Sequence, residues 1–420
     1  MPWRTHMADW RRRLFASDFA RNVFETFGAR LFLLALGLVT GVLITRALGP
    51  EGRGLYATAA AIGAIGVQFG NLGLHASNTY YVAQNRGLLP QLLGNTLVVS
   101  IAFGGTALAL AWLVFQAWPA LAPVHGWLLL LGLVWIPLGL AYLLLQNLLL
   151  GIQAVRAYNT IELSTRIMAV GLLAWIIWRQ AVTPERVVGV SLVAFAVGIL
   201  LVGGRLQAQL TAAPSWSWPL FQQGLHYGFK AYLAAFFAYL VLRVDLLMVK
   251  QMLGAEQAGY YSLAANMADL MGLLPTSIGA LLFPKLAAMS DLAERWRTVR
   301  QLALGLGGLM SGVVLVAGFF AQPVIDFLYG ASFLPAAPAF VWLTPAIVAL
   351  AVNTIFMNYF AASGMPWIAV YAPALAAGVN VALNWWLLPQ LGIRAASLSS
   401  VVAYSLMLLC SVGYLYWTRR

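Results

Sequence analysis

Long apolar runs, separated by short polar breaks, set the pattern of this chain. A membrane-crossing helix needs about 20 mostly apolar residues. Twelve runs reach that length: 22–46, 53–80, 90–116, 126–151, 157–178, 186–206, 229–250, 257–284, 298–319, 335–361, 367–388 and 394–417. The pattern predicts an all-α polytopic membrane protein with twelve transmembrane helices. Arg11, Arg12, Arg13 and Arg21 precede the first run, which is long and interrupted, so it reads as a span and not as a secretion signal.

An internal repeat divides these spans. Residues 48–60 read LGPEGRGLYATAA and residues 253–265 read LGAEQAGYYSLAA, with seven of thirteen positions identical. Both segments fall between the first two spans of a six-span half. Each half has an even number of spans, so both run in the same direction. The expected architecture is therefore two six-helix lobes related by a pseudo-two-fold along the membrane normal. The division runs 1–21 as a basic cytoplasmic segment, 22–206 as the N-lobe, 207–228 as a linker and 229–420 as the C-lobe. Within the linker, Trp218, Phe221, Leu225 and Phe229 recur at spacings of three and four, which predicts an interfacial amphipathic helix acting as a tether. Pro137 and Pro345 occupy the fourth span of each half, where matched prolines point either to broken helices beside a cavity or to tolerated kinks.

Composition narrows the class. Of 420 residues, 62% are apolar and 9% charged, against roughly 25% charged in soluble domains. So few charges cannot coat a water-facing surface, which excludes a soluble enzyme, a disordered chain and a nucleic-acid binder. The net charge of +12 fits cytoplasmic loops that gather Lys and Arg. With the N-terminus inside, fifteen Lys and Arg fall on the cytoplasmic side and six outside, Arg46 and Arg53 among the six. Both termini are accordingly expected in the cytoplasm. Cys410 is the one cysteine, and His6, His75, His125 and His226 are scattered, so the sequence offers no disulfide, no clustered metal ligands and no sign of a cofactor.

At this point the residues resemble a known family. RALGPEGRGLYATAAA (46–61), followed by NLGLHASNTYYVAQ (71–84), looks like the first hairpin of polysaccharide-repeat flippases of the Wzx type. VDLLMVKQMLGAEQAGYYSLAANM (244–267) looks like their seventh and eighth spans. These flippases belong to the multidrug/oligosaccharidyl-lipid/polysaccharide exporter superfamily, with the lipid II flippase and the multidrug–cation antiporters. The resemblance implies a transporter in the bacterial inner membrane that carries an undecaprenyl-pyrophosphate-linked oligosaccharide to the outer leaflet by alternating access. It implies membrane lipids, a coupling H+ or Na+, and polymerase and glycosyltransferase partners.

Charges inside spans are the candidate chemistry, since one at the bilayer centre costs about 2.5–3.5 kcal/mol on insertion scales. Arg30, Arg166 and Arg243 lie within predicted spans. A diphosphate stripped of water needs cations, and the guanidinium fork matches it. Arg30 and Arg243 have no acid one turn away on their own helices, so each faces cargo or an acid on another helix. Arg166 has Glu162 four residues before it, which allows a self-neutralised pair or one that cargo opens. Glu25, Glu162, Asp245 and Asp269 are candidates for ion coupling, because shielded carboxylates act as proton relays. Asp245 matches an acid that recurs in the family motif; a structural role holding the lobes stands beside this reading. Asn78, Asn147 and Asn358 are weaker candidates for contacts with sugar. Gly37/Gly41, Gly66/Gly70 and Gly308/Gly312 have the spacing of close helix packing.

Three other readings compete. A cation antiporter would favour acids and aromatics in its cavity. A polymerase, ligase or glycosyltransferase would need a sizeable extramembrane segment, yet the longest connection is the acid-free stretch between Arg205 and Lys230. A scaffold would have no use for arginines at mid-depth.

Overall fold

The computed structural model describes residues 18–418, with side chains from Phe32 onward. Residues 1–17 and the side chains of Glu25 and Arg30 lie outside the described residues. The first half comprises α1 (Asp18–Gly70), α2 (Leu74–Gln84), α3 (Leu89–Ala117), α4 (Gly126–Gly151), α5 (Val155–Trp178) and α6 (Pro184–Gln207). The second comprises α7 (Trp218–Leu253), α8 (Ala255–Met271), α9 (Leu273–Ala288), α10 (Leu292–Phe319), α11 (Ala321–Tyr329), α12 (Ala336–Ala362), α13 (Ile368–Leu391) and α14 (Ile393–Trp417). No strand occurs among the described residues.

Eleven of these helical segments are long and apolar enough to cross a membrane. The difference from the twelve runs lies in α1. It is 53 residues long, but Gly49 inside it has φ 66° and ψ −178°, outside the helical region. Dividing α1 there gives twelve segments, with α8 and α9 forming one. Gly254, between α7 and α8, has φ 96° and ψ 177°. The two repeat copies thus break at the same step. Only glycine adopts that conformation without strain. Pro50 then opens the second part of α1, where its missing N–H goes unused.

The fourth segment is central in each half. α4 packs on α1, α2, α3 and α6, and α12 on α8, α9, α10 and α14. Both run unbroken through Pro137 and Pro345, so the matched prolines are tolerated and do not break the helix. Gly104 of α3 accommodates one of them: a Cβ there would stand 2.8 Å from Pro137 Cα. Leu140, Leu144, Leu145, Leu148 and Leu149 of α4 are fully buried, as are Phe340, Ile355 and Phe360 of α12. Outward-facing apolar side chains such as Ile101, Leu200, Leu281 and Leu315 are exposed, as a lipid-facing surface requires. Trp118, Trp127, Trp178 and Trp367 are exposed at or beside helix ends, where an interfacial belt belongs.

The linker differs from the expected free-lying helix. Residues 208–217 are not helical, and α7 runs 36 residues from Trp218 into the seventh span without interruption. Its first turns strap onto the N-half. Asn95 Nδ2 donates to Ser217 O at 3.0 Å while Ser217 N donates to Asn95 Oδ1 at 2.8 Å. Phe221 is buried with Leu74, Val99, Leu140 and Leu144. Protein covers only the middle of the apolar face: Phe221 is buried and Leu225 half-buried against the N-half, while Trp218 and Phe229 at its two ends stay exposed.

Only one of the three GxxxG pairs makes close packing. Cβ atoms at Gly66 and Gly70 would meet Ile136 at 2.5 Å and Leu140 at 3.0 Å, whereas Gly37, Gly41, Gly308 and Gly312 have nothing within 4 Å.

Candidate functional site

A cavity of about 420 Å³ lies between the halves, walled by α1, α4, α5 and α6 on one side and by α7 and α8 on the other. Arg53, Arg166, Arg243, Glu162 and Asp245 all line it. Tyr56, Trp135, Tyr142 and Tyr239 supply aromatic surface, and Asn266 adds an amide.

Arg53 is the residue that charge counting missed. Counted on the outer side as the first residue of the run 53–80, it sits one turn beyond Pro50 inside the continuing helix, only 3% exposed. Its Nη1 donates to Thr45 Oγ1, and its Nε has no partner among the described residues. The signal in the sequence was the Gly-Pro step. A Pro in the first turn starts a helix, so the helix begins before Arg53 and not at it.

Arg243 is held by another helix. Its Nη2 donates to Asp269 Oδ2 at 2.8 Å, and its guanidinium lies 5.7 Å from the Tyr239 ring centre. Arg166 and Glu162 both face the cavity from α5, yet no ion pair or hydrogen bond joins them among the described residues. Asp245 is 2% exposed and fully used. It accepts from Tyr261 Oη, from Leu246 N at 2.7 Å and from Ser400 Oγ at 3.2 Å. A second cavity of about 210 Å³, lined by Asp245, Asp269, Tyr261, Thr276 and Tyr404, lies in the C-half and shares Asp245 with the first.

The asparagines are elsewhere. Asn78 donates to Thr96 Oγ1 at 2.9 Å, Asn147 to Leu143 O at 2.8 Å and Asn358 to Thr354 O at 2.8 Å. These bonds fix helices, and none of the three lines the central cavity. Three guanidiniums and two carboxylates line the cavity. The charge is divided unevenly: the N-half wall carries Arg53 and Arg166 with Glu162, whereas on the C-half wall Arg243 is paired with Asp269 and Asp245 lies beside it.

Comparison with known proteins adds the family. The model of the polysaccharide biosynthesis protein family matches residues 19–290. The chain belongs to that family. Over 121 residues it is 22% identical to a putative O-antigen transporter of Shigella flexneri, covering 26% of this chain and 29% of that one. The alignments with curated relatives span about a third of each relative's length, 32% and 29%. Among solved structures, the lipid II flippase MurJ in an inward closed conformation matches with a TM-score of 0.73 at 14% identity, over 94% of this chain and 87% of that one. A multidrug resistance transporter of the MATE family, of the MOP superfamily, matches in its inward-facing conformation with a TM-score of 0.72 at 15% identity, over 92% and 93%. The resemblance read from residues 46–84 and 244–267 is thus borne out. This is a multi-pass membrane protein with the fold of those two transporters.

Proposed function

We propose that the protein moves an oligosaccharide, linked through a diphosphate to an undecaprenyl chain, from the cytoplasmic to the outer leaflet of a bacterial inner membrane for surface polysaccharide assembly. One observation carries the reading: guanidinium outnumbers carboxylate in a cavity walled by both halves. A diphosphate leaving water requires charge-assisted donors, and Arg supplies them as a planar fork. Arg53 and Arg166 face the head group from one wall and Arg243 from the other. The aromatic side chains around them have apolar faces suited to sugar rings. The halves part at one end and then at the other, receiving cargo from glycosyltransferases and delivering it to a polymerase. Asp245 and Asp269, flanking the second cavity, are the groups through which H+ or Na+ couples to that motion, with Glu162 as a third acid on the N-half wall.

The test is reconstitution into liposomes with a fluorescent undecaprenyl-pyrophosphate saccharide in one leaflet. Wild type moves it across. Arg53→Ala and Arg166→Ala each slow transfer by about 10- to 100-fold, the value of one or two charge-assisted hydrogen bonds. Arg53→Lys restores part of the rate, because an ammonium lacks the fork. Export of a cationic dye with no saccharide movement would replace this reading by a cation antiporter.

A further inference from the structure

We propose that the end of the molecule bearing Gly49 and Gly254 is closed by two equivalent latches, Arg46 and Gln251, one from each copy of the internal repeat. The inference rests on the reading that the halves alternate in access, not on the identity of the cargo.

Four observations converge. Arg46 Nε donates to Leu328 O at 2.8 Å and its Nη2 to Phe327 O at 2.6 Å. These carbonyls end α11 in the opposite half, where intrahelical partners run out and a cation is favoured. Gln251 Nε2 donates to Ala120 O, in the turn that follows α3 of the other half. Both acceptors lie in the connection between the third and fourth spans of the half being reached. Arg46 and Gln251 are themselves 205 residues apart, the offset of the repeat.

Between the latches the backbones meet reciprocally. A Cβ on Gly54 would stand 1.8 Å from Ala255 O, and one on Gly259 would stand 1.9 Å from Pro50 O. Gly54 and Gly259 are repeat equivalents, as are Pro50 and Ala255. Exchanging the halves therefore maps the contact onto itself, and the pseudo-two-fold axis runs through it. Such an end cannot part by sliding one helix. Both latches and the glycine seam must release together, so their combined strength sets how much of the population is closed at this end. Arg46 brings a charge and two bonds where Gln251 brings one neutral bond, so the Arg46 latch is the stronger.

The experiment is a distance measurement by electron spin resonance on the full chain in lipid nanodiscs, without cargo. Labels go on Arg179→Cys and Gln390→Cys in a Cys410→Ser background; both positions lie near this end, in opposite halves. Arg46→Ala is expected to raise the ratio of parted to closed molecules by about tenfold and Gln251→Ala by about threefold, with the double variant near the product. Gly54→Ala, which inserts a methyl into the seam, shifts the ratio furthest. Where it fails to fold, the two latch variants carry the test. Unchanged distance distributions in both latch variants would overturn the proposal. A shifted distribution in protein that moves no lipid-linked saccharide would uphold the latches and remove the cargo reading.

Discussion

Thr40 and Asp245 stand at the same step of the two repeat copies, 205 residues apart, in settings that no longer match. Thr40 Oγ1 donates to Leu36 O of its own helix at 2.6 Å. Asp245 gathers three donors, from Leu246, Tyr261 and Ser400. Arg53 pairs in the same way with Ala258, and Leu38 with Arg243. Tyr56 and Tyr261 are identical in both copies, yet Tyr56 lines the cavity beside Arg53 while Tyr261 donates to a carboxylate. A few steps along, Gly49 and Gly254, Gly54 and Gly259, and Arg46 and Gln251 still act as equivalents. Duplication has kept the mechanics symmetric and let the chemistry diverge, leaving a basic wall on one half and a buried acid on the other.

That contrast can be broken experimentally, most forcefully at Asp245. Asp245→Ala leaves the buried Tyr261 and Ser400 hydroxyls without this acceptor and should destabilise the protein by about 3 kcal/mol, read as a lowered thermal midpoint in detergent. Thr40→Val loses a bond within one helix and should change stability by less than about 0.5 kcal/mol. Equal losses would mean that the copies differ less than their contacts imply. Next come the seam glycines: Gly54→Ala and Gly259→Ala should each cost about 2 kcal/mol through overpacking, and by the same amount, since their surroundings are reciprocal. Clearly unequal midpoints would show that the axis does not pass between them. A smaller effect is expected at the ion pair. Arg243 and Asp269 side chains are 25% and 39% exposed, so a double-mutant cycle should give a coupling of about 1 kcal/mol or less. The smallest belongs to Gly37→Ala and Gly308→Ala, which meet nothing and should stay within about 0.5 kcal/mol; Gly66→Ala, pressed on Ile136, should not.

Hydrophobic run length made the span pattern legible, and a seven-in-thirteen identity exposed the duplication. Run length cannot see a turn made by one residue, which is why α1 continues through Gly49 as two spans joined by almost no loop. The same blindness put Arg53 at the outer tip of a span, where the fold buries it. Arg166, Arg243, Glu162 and Asp245 were readable because a charge in an apolar run needs a reason. Their partners were not, since Asp269 reaches Arg243 from another helix and helical spacing reports only neighbours on the same helix. The asparagines misled for a related reason: an amide in a span satisfies itself on a nearby backbone carbonyl or hydroxyl as readily as it faces a cavity.

The strap formed by residues 215–221 bears on how the chain is made. These residues leave the ribosome directly after α6, before any of the later spans exists. Asn95, Leu144 and their neighbours therefore acquire their cover from the next stretch to be synthesised, not from a distant one. The side of the N-half around Asn95 and Leu144 can therefore close early, and the start of α7, once docked there, fixes the point from which the second half is threaded into the bilayer; the face of α1 that meets α8 must wait for that half.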